Sequence, residues 1–428
     1  MTRKESWFKV LPILAALTMT LMLPLTTWGA SKYKVLYEFT GGADGGTPTG
    51  LIIDKLGNLY GTTSTGGATG NGTVFKLEPL PGGTWKETVL HSFKGPDGSA
   101  PETGLISDAS GNLYGTTSQG GPPCPYVSST GCGVVFKLKP KSDGTWTESV
   151  LYSFKGGASD GYDALAGLTF DKAGNLYGTT AVDGSGGAGD VFQLKRNSNG
   201  TWTENILYMF SGNGPDGVTP DSTLIFDGVG NLYGTTDQGG NMNCAALYGC
   251  GVAFKLTRDP GESWSESVLY TFCSETNCTD GKYPGDIVFD KAGNLYGITA
   301  GGGHSDLSSD SDGTVFRLRE SGGRWKEDVL YRFDGAQGAG PDAGPILDAA
   351  GNLYGTAVSG GSANDGVVFK MSPSLDGTWA YTVLRTFLGG PARYPESLIF
   401  DGAGHLYGTT QSCGPRAKCM GIVFEVTP

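Results

Sequence analysis

Charge is scarce in this chain, and positive charge is scarcest. Only 17% of its 428 residues are Asp, Glu, Lys or Arg; 30 are basic and 42 acidic, giving a formal net charge of −12. No basic run follows the first ten residues. The clustered Lys and Arg that neutralise phosphates are therefore missing, and nucleic acid is not an expected partner. Histidine is limited to His91, His304 and His405, well apart in sequence, and no CxxC occurs. A cysteine–histidine zinc site thus lacks its usual spacing. There is no HExxH, no P-loop, and no GxSxG between a strand and a helix, so no common catalytic signature appears. No helical periodicity is present outside the N-terminus, and only one long apolar run occurs.

That run, Val10–Leu25, follows a basic stretch with Arg3, Lys4 and Lys9 and precedes "TTWGAS". The pattern is that of an export signal over residues 1–30, cleaved after Gly29 or Ala30. It is short for a membrane span, but Trp28, where a small residue is preferred, leaves an uncleaved N-terminal anchor as the alternative; no second such run follows. The eight cysteines then fall into near pairs: Cys124/Cys132, Cys244/Cys250, Cys273/Cys278 and Cys413/Cys419. Four short-loop disulfides in an extracellular, cell-surface or periplasmic protein are the expectation.

Glycine is abundant, at 73 residues, and aromatics reach 11%. Together they suggest many short strands joined by tight turns. The heptapeptide "GNLYGTT" at Gly57–Thr63 recurs at Gly111–Thr117, Gly174–Thr180 and Gly230–Thr236, with near-copies from Gly293, Gly351 and Gly404. Its tyrosines are 54, 63, 56, 63, 58 and 53 residues apart, a period that marks repeat architectures. Each unit holds four strand-like runs. In the first unit they are a ("GLIID"), b ("NLYGTT"), c ("GTVFKL") and d ("TWKETVLHSF"). A constant Asp-to-Gly-Asn turn joins a to b, where Asp can cap the turn and Gly supplies positive φ. The chain opens with an orphan d run, "YKVLYEF", and ends with an a, b and c lacking a d. Pairing the two ends closes a ring. The predicted fold is therefore all-β, a seven-bladed propeller of four-stranded antiparallel blades over residues 31–428, with the N-terminal strand completing the last blade. The repeated Leu and Tyr are expected to pack between blades, and the glycine after Tyr to relieve crowding near the axis.

The pattern D-x-x-G-N-L-Y-G-T-T … G-G … G-T-V-F-K-L resembles the bacterial Gloeobacter/Verrucomicrobia (GloVer) tandem repeats over nearly the whole mature chain. That resemblance implies an exported protein and brings no catalytic residues. More distantly, "FDKAGNLYGTT" is similar to the strand–turn–strand of NHL-type and senescence-marker-protein-type propellers. Some of those are calcium-dependent lactonases, but their axial metal carboxylates are not recognisable in this sequence as a set.

The a–b and c–d connections are nearly constant in length. The b–c stretch, from repeat Tyr to run-c Phe, varies from 15 to 22 residues, and the d–a stretch, from run-d Phe to turn Asp, from 14 to 18. In a meander these two variable loops share one face, and all four cysteine pairs fall on it. Variable loops on a rigid scaffold are where binding usually resides. Tyr126, Tyr248, Tyr283 and Tyr394 lie in those loops and could offer flat surfaces to a sugar or a protein; each could equally pack its own loop. In "HSDLSSDSDG" Ser308, Asp310, Asp312 and Gly313 imitate the start of a calcium loop, with Asp306, Asp310 and Asp312 as candidate carboxylates, but the twelfth position from Ser308 is Arg319 instead of Glu, so a solvated acidic loop is the plainer reading. The Asp-Gly pairs at Asp44, Asp97, Asp160, Asp216 and Asp280 read as turn formers, or as a ring of cation ligands. The functional expectation is a monomeric, non-enzymatic binding or surface-scaffold propeller without a resident cofactor, recognising glycan or protein through the disulfide-bearing face. The alternative is a carbohydrate-active or lactonase-like hydrolase with an axial site. A converging set of buried carboxylates on the axis would favour that alternative.

Overall fold

Every repeat folds into the same sheet because its four runs alternate apolar and polar residues between strong turns. In blade 1 the strands are a (Gly46–Ile53), b (Leu59–Thr65), c (Thr73–Pro79) and d (Trp85–Ser92), paired antiparallel in that order. The computed structural model describes residues 31–126, 131–157, 160–183, 187–212, 214–242, 244, 248–261, 263–304, 312–390, 392–412 and 419–428. The expected export signal, residues 1–30, lies outside them. So do Asp306, Asp310 and Cys413.

Seven four-stranded antiparallel sheets are present. In the seventh, Lys32–Glu38 pairs with Ile422–Thr427, beside Leu406–Ser412 and Arg393–Phe400. The first strand of the unit thus completes the last blade, which removes two open sheet edges. The one helical element among the described residues is a 3-10 turn, Thr276–Cys278.

The turn aspartates bind as their spacing suggests. Asp54 Oδ1 accepts the N–H groups of Leu56 (2.8 Å) and Asn58 (2.9 Å), and Oδ2 accepts Asn58 Nδ2 (2.7 Å) and Tyr60 Oη (3.1 Å). The repeated Tyr is thereby tied at its polar tip while its ring is sandwiched between blades. Tyr114 meets Phe170 of the next blade edge-on at 5.2 Å, and Tyr177 meets Phe226 at 5.0 Å. A second aromatic circuit lies further out. The Phe that directly follows each strand d packs edge-on or tilted against the strand-c Phe of the following blade: Phe93 on Phe136 (5.1 Å), Phe210 on Phe254 (5.2 Å), Phe387 on Phe424 (5.4 Å). These rings are all but fully buried.

The glycine after the repeated Tyr has a different cause from the one expected. A Cβ on Gly61 would fall 2.7 Å from the Phe75 ring and 3.0 Å from Leu51, both in its own blade. Gly61 is the cross-strand partner of Phe75. The Phe ring lies over the bare backbone, so the glycine makes room for an aromatic within the blade.

Strand a comes in two forms. It runs eight residues in blades 1, 5 and 7 (Gly46–Ile53, Lys282–Phe289, Arg393–Phe400) and only two in the other four. The short form follows one extra residue: Pro101 to Asp108 is one longer than Pro48 to Asp54. The extra residue breaks the ladder next to the axis.

Candidate functional site

Just before strand a, the chain of every blade makes the same unusual move. Thr47, Ala100, Asp163, Thr219, Tyr283, Gly340 and Tyr394 all take φ between 53° and 62°. Each precedes a Pro, or Ala164 in blade 3. Such backbone costs about 1–3 kcal/mol for a non-Gly residue and needs compensation. A link to the preceding blade supplies part of it: the N–H groups of Ala100, Thr219 and Tyr283 donate to the carbonyls of Asn71, Ala188 and Cys250. The kink turns the following residues toward the axis.

What stands there varies from blade to blade. Four residues before each turn Asp come Gly50, Gly104, Gly167, Thr223, Asp286, Gly344 and Ser397. Close approach explains the glycines: a Cβ on Gly50 would sit 2.8 Å from the Gly104 Cα. Blade 5 puts a carboxylate at this position. Asp286 Oδ1 accepts the N–H of Thr223 in blade 4 at 2.6 Å. Threonines of strand b stitch the ring together behind this layer: Thr62 Oγ1 donates to the carbonyl of Thr103, and Thr235 Oγ1 to that of Gly285, both at 2.9 Å.

A cavity of about 290 Å³ opens at this end of the axis. Glu102, Asp221, Asp237, Asp286, Asp342 and Glu396 line it, and among the described residues no Lys, Arg or His does. The residues come from five blades, so the carboxylates form a ring. Glu102 and Asp342 retain solvent contact within the cavity, and the other four are partly accessible. Protein nevertheless encloses them, and that enclosure raises every one. Burial lifts Asp286 to about 6, against the bonds from Thr223 that favour its charge. Burial lifts Glu396 to about 7, against its bond from Gln411. Asp221 is pushed well above the usual range by burial, with Asp237, Asp286 and Asp342 adding repulsion. Burial also raises Asp237, Asp342 and Glu102. Burial, with like charges adding to it at Asp221, Asp237, Asp286, Glu396 and Glu102, disfavours ionising all six at once.

Sequence reasoning missed this ring, holding that axial carboxylates were not recognisable as a set. Its signal was positional: the residues just after the repeated Pro, where Glu102, Asp221, Asp342 and Glu396 stand. The expected tyrosines fall into two groups. Tyr283 lines the cavity, and Tyr394 holds the equivalent kinked position in blade 7. Lys282 lies over the Tyr283 ring and Arg393 over that of Tyr394. Tyr126 and Tyr248 sit instead in disulfide loops, 51% and 62% exposed. Tyr126 lies over Gly156 and Gly157 of a neighbouring loop.

Disulfides join Cys124 to Cys132, Cys244 to Cys250 and Cys273 to Cys278. The last two bridges pack against each other. Their sulfurs are bonded to one another and are not available as thiolate ligands. Cys419 is also disulfide-bonded, and its expected partner Cys413 lies outside the described residues. The b–c and d–a loops holding these bridges emerge on the face where the cavity opens. Asp312 is described and stands 4.0 Å from His304 Nε2.

The Gloeobacter/Verrucomicrobia repeat model matches residues 25–248, 124–308 and 244–428. The chain belongs to the Gloeobacter/Verrucomicrobia repeat family. No curated protein matches the sequence. Among solved structures, the chain is similar to the extracellular domain of a hybrid two-component system from B. thetaiotaomicron. The identity is 10% and the TM-score 0.50, covering 92% of this chain and 41% of that one. The chain thus spans less than half the length of that protein, and the likeness concerns the fold alone. A Thermus thermophilus protein described as an oxidoreductase (glucose dehydrogenase) aligns at 12% identity and a TM-score of 0.44, over 93% of this chain and all of that one. Among the described residues no helix is long and apolar enough to cross a membrane.

Proposed function

We propose that this family member is an exported binding propeller that takes a cationic ligand in the acidic cavity at the centre of its disulfide-bearing face. The observation that carries the reading is the set of six carboxylates lining one cavity, with no basic residue in the lining among the described residues. A ligand cation removes the mutual repulsion, and each carboxylate contributes more inside a low-dielectric enclosure than in water. The volume suits the tip of an ammonium-bearing chain, such as an amino sugar or a lysine side chain, better than a bare divalent ion, since among the described residues no three of these carboxylates bring oxygens within 4.8 Å of one another. It does not suit a folded domain. Ser397 Oγ, buried in the lining without a hydrogen-bond partner, adds a polar group for such a ligand. The disulfide loops, with Tyr126 and Tyr248, emerge on the same face outside the lining of the cavity and offer further contact area. The N-terminal signal pattern and the disulfides support export.

Calorimetric titration of the mature chain with calcium chloride, a lysine ester and a glucosamine oligomer tests the proposal and separates the ligand sources. The expected result is binding at pH 8 that weakens tenfold or more at pH 5 and in Asp221→Asn/Asp286→Asn. Binding of neutral oligosaccharides only, unchanged in that variant but lost in Tyr126→Ala or Tyr248→Ala, would move recognition to the loops.

A second reading has one observation in its favour. Asp286 and Glu396 are held near neutrality, where a carboxyl can serve as a general acid or base. Release of sugar or opening of a lactone by the wild type, absent in Glu396→Gln, would support hydrolysis.

A further inference from the structure

Carboxyl groups also meet between blades, away from the axis. Strand d of blades 1 to 5 carries a glutamate six residues before the Phe that directly follows it: Glu87, Glu148, Glu204, Glu266 and Glu327. The d–a loop arriving from the preceding blade carries an aspartate four residues before the repeated Pro, or before Ala164 in blade 3. These are Asp44, Asp97, Asp160, Asp216 and Asp280. Each aspartate faces one glutamate. At the first boundary Asp44 accepts Tyr37 Oη (3.2 Å) and the Thr40 N–H (2.8 Å). At the third, Tyr152 Oη lies 2.7 Å from Asp160 Oδ2 and 3.0 Å from Glu204 Oε2, so one hydroxyl touches both carboxyls. At the second, His91 takes the place of the Tyr, and His91, Asp97 and Glu148 ligand atoms lie within 4.8 Å of one another.

In all five glutamates Oε1 is buried and has no hydrogen-bond partner. Asp160 and Asp280, 5% and 1% exposed, each leave Oδ1 unpartnered as well. A buried polar oxygen without a partner costs about 1–3 kcal/mol. Five repetitions of that cost require a common explanation.

The two remaining boundaries supply one. In blade 6 the loop position is Gln337, and the glutamate position is Tyr381. In blade 7 they are Pro391, outside the described residues, and Tyr33. Aspartate and glutamate are thus present together or replaced together. Where they are replaced, Tyr381 Oη donates to the backbone carbonyl of Gln337 at 2.7 Å. A hydroxyl donor stands where the glutamate would be, and an acceptor belongs to the loop.

We propose that each of the five glutamates carries a proton in the folded ring and donates its O–H to the facing aspartate, latching neighbouring blades until rising pH removes the proton to solvent. Burial, with the facing aspartate adding repulsion, pushes Glu87, Glu148, Glu204 and Glu266 up to about 7 and Glu327 to about 8. Other charges face some of them: Lys155 opposes the shift at Glu204, and Arg332 does so at Glu327, where Asp328 and Glu275 add to it. The folded state therefore binds these protons more tightly than the unfolded chain. The stabilisation is complete below about pH 4.5 and is lost as pH rises through 7 to 8.

The test is the melting temperature of the mature chain across pH 5 to 8, wild type against Glu87→Gln/Glu148→Gln/Glu204→Gln/Glu266→Gln/Glu327→Gln. The amide imitates the protonated carboxyl, so the alkaline fall should shrink by more than half. The infrared band of protonated carboxyls at pH 6 should weaken in the same variant. Installing a sixth pair with Gln337→Asp/Tyr381→Glu should steepen the fall, which keeps the proposal testable if the fivefold variant does not fold. An unchanged pH profile in both variants overturns it. So does calcium raising the melting temperature of the wild type at pH 8 but not of the glutamine variant, because the pairs would then hold a cation.

Discussion

Asp286 Oδ1 accepts the backbone N–H of Thr223 at 2.6 Å across a blade boundary, on a layer where four of the other six blades present glycine. One side chain thus serves the ring and the cavity at once. Asp286→Asn keeps an acceptor for Thr223 while removing a charge held at about 6. The variant should be as stable as the wild type near pH 3.5 and more stable at pH 8. The carboxyl's folded-state value is raised, so its ionisation costs stability as pH increases through that value. Thermal melts at the two pH values read this directly.

The turn aspartates have the opposite sign. Burial opposes ionisation of Asp108, but the donors Asn112, Tyr114 and Ser110 outweigh it and hold the carboxyl below its usual range. Asp54, Asp227, Asp290, Asp348 and Asp401 are held down likewise. Their contribution is present above about pH 4 and is lost as the medium becomes more acidic. Stability should therefore peak in mildly acidic solution and fall on both sides. Asp108→Ala should cost about 2–3 kcal/mol at pH 6 by denaturant unfolding, since it frees several donors at once.

Gly115→Ala tests the glycine beneath the aromatic ring. The new Cβ would meet the Phe136 ring at 2.7 Å and Leu105 at 3.0 Å. Overpacking should destabilise by about 1–3 kcal/mol. Combining it with Phe136→Leu should recover part of the loss, which separates the ring contact from a backbone effect.

The periodic part of the sequence made the fold legible. Seven copies of one strand, a constant Asp turn and an orphan d run at the front led to seven blades and to the closing pair Lys32–Glu38 with Ile422–Thr427. The axial site was not legible in the same way, because it uses positions where the repeat varies. The place after the repeated Pro, or after Ala164, holds Thr49, Glu102, Leu165, Asp221, Gly285, Asp342 and Glu396 in turn. Only the ring brings its carboxylates together. Tyr283 drew notice as a loop aromatic, yet its position follows from the kink before Pro284, which no composition signal marks.

Reduction of the disulfides should loosen the loops without opening the ring. The bridges close only 5 to 8 residues each, and the Phe circuit lies in the buried core between the blades. Each bridge is expected to contribute about 2 kcal/mol. Dithiothreitol should lower the melting temperature while leaving the far-ultraviolet β signature intact, and proteolysis should then begin in residues 120–132 or 241–250.

The most direct measurement is the number of protons exchanged when a cation binds. Titrations of the mature chain with calcium chloride and with a lysine ester, at pH 6.5 in buffers of different ionisation enthalpy, provide it. A cation entering the ring of raised carboxyls must displace protons. The expected result is a release of about one proton or more per cation, abolished in Asp221→Asn/Asp286→Asn/Glu396→Gln. Binding without proton release, or binding unaffected by those three substitutions, would contradict an axial cation site.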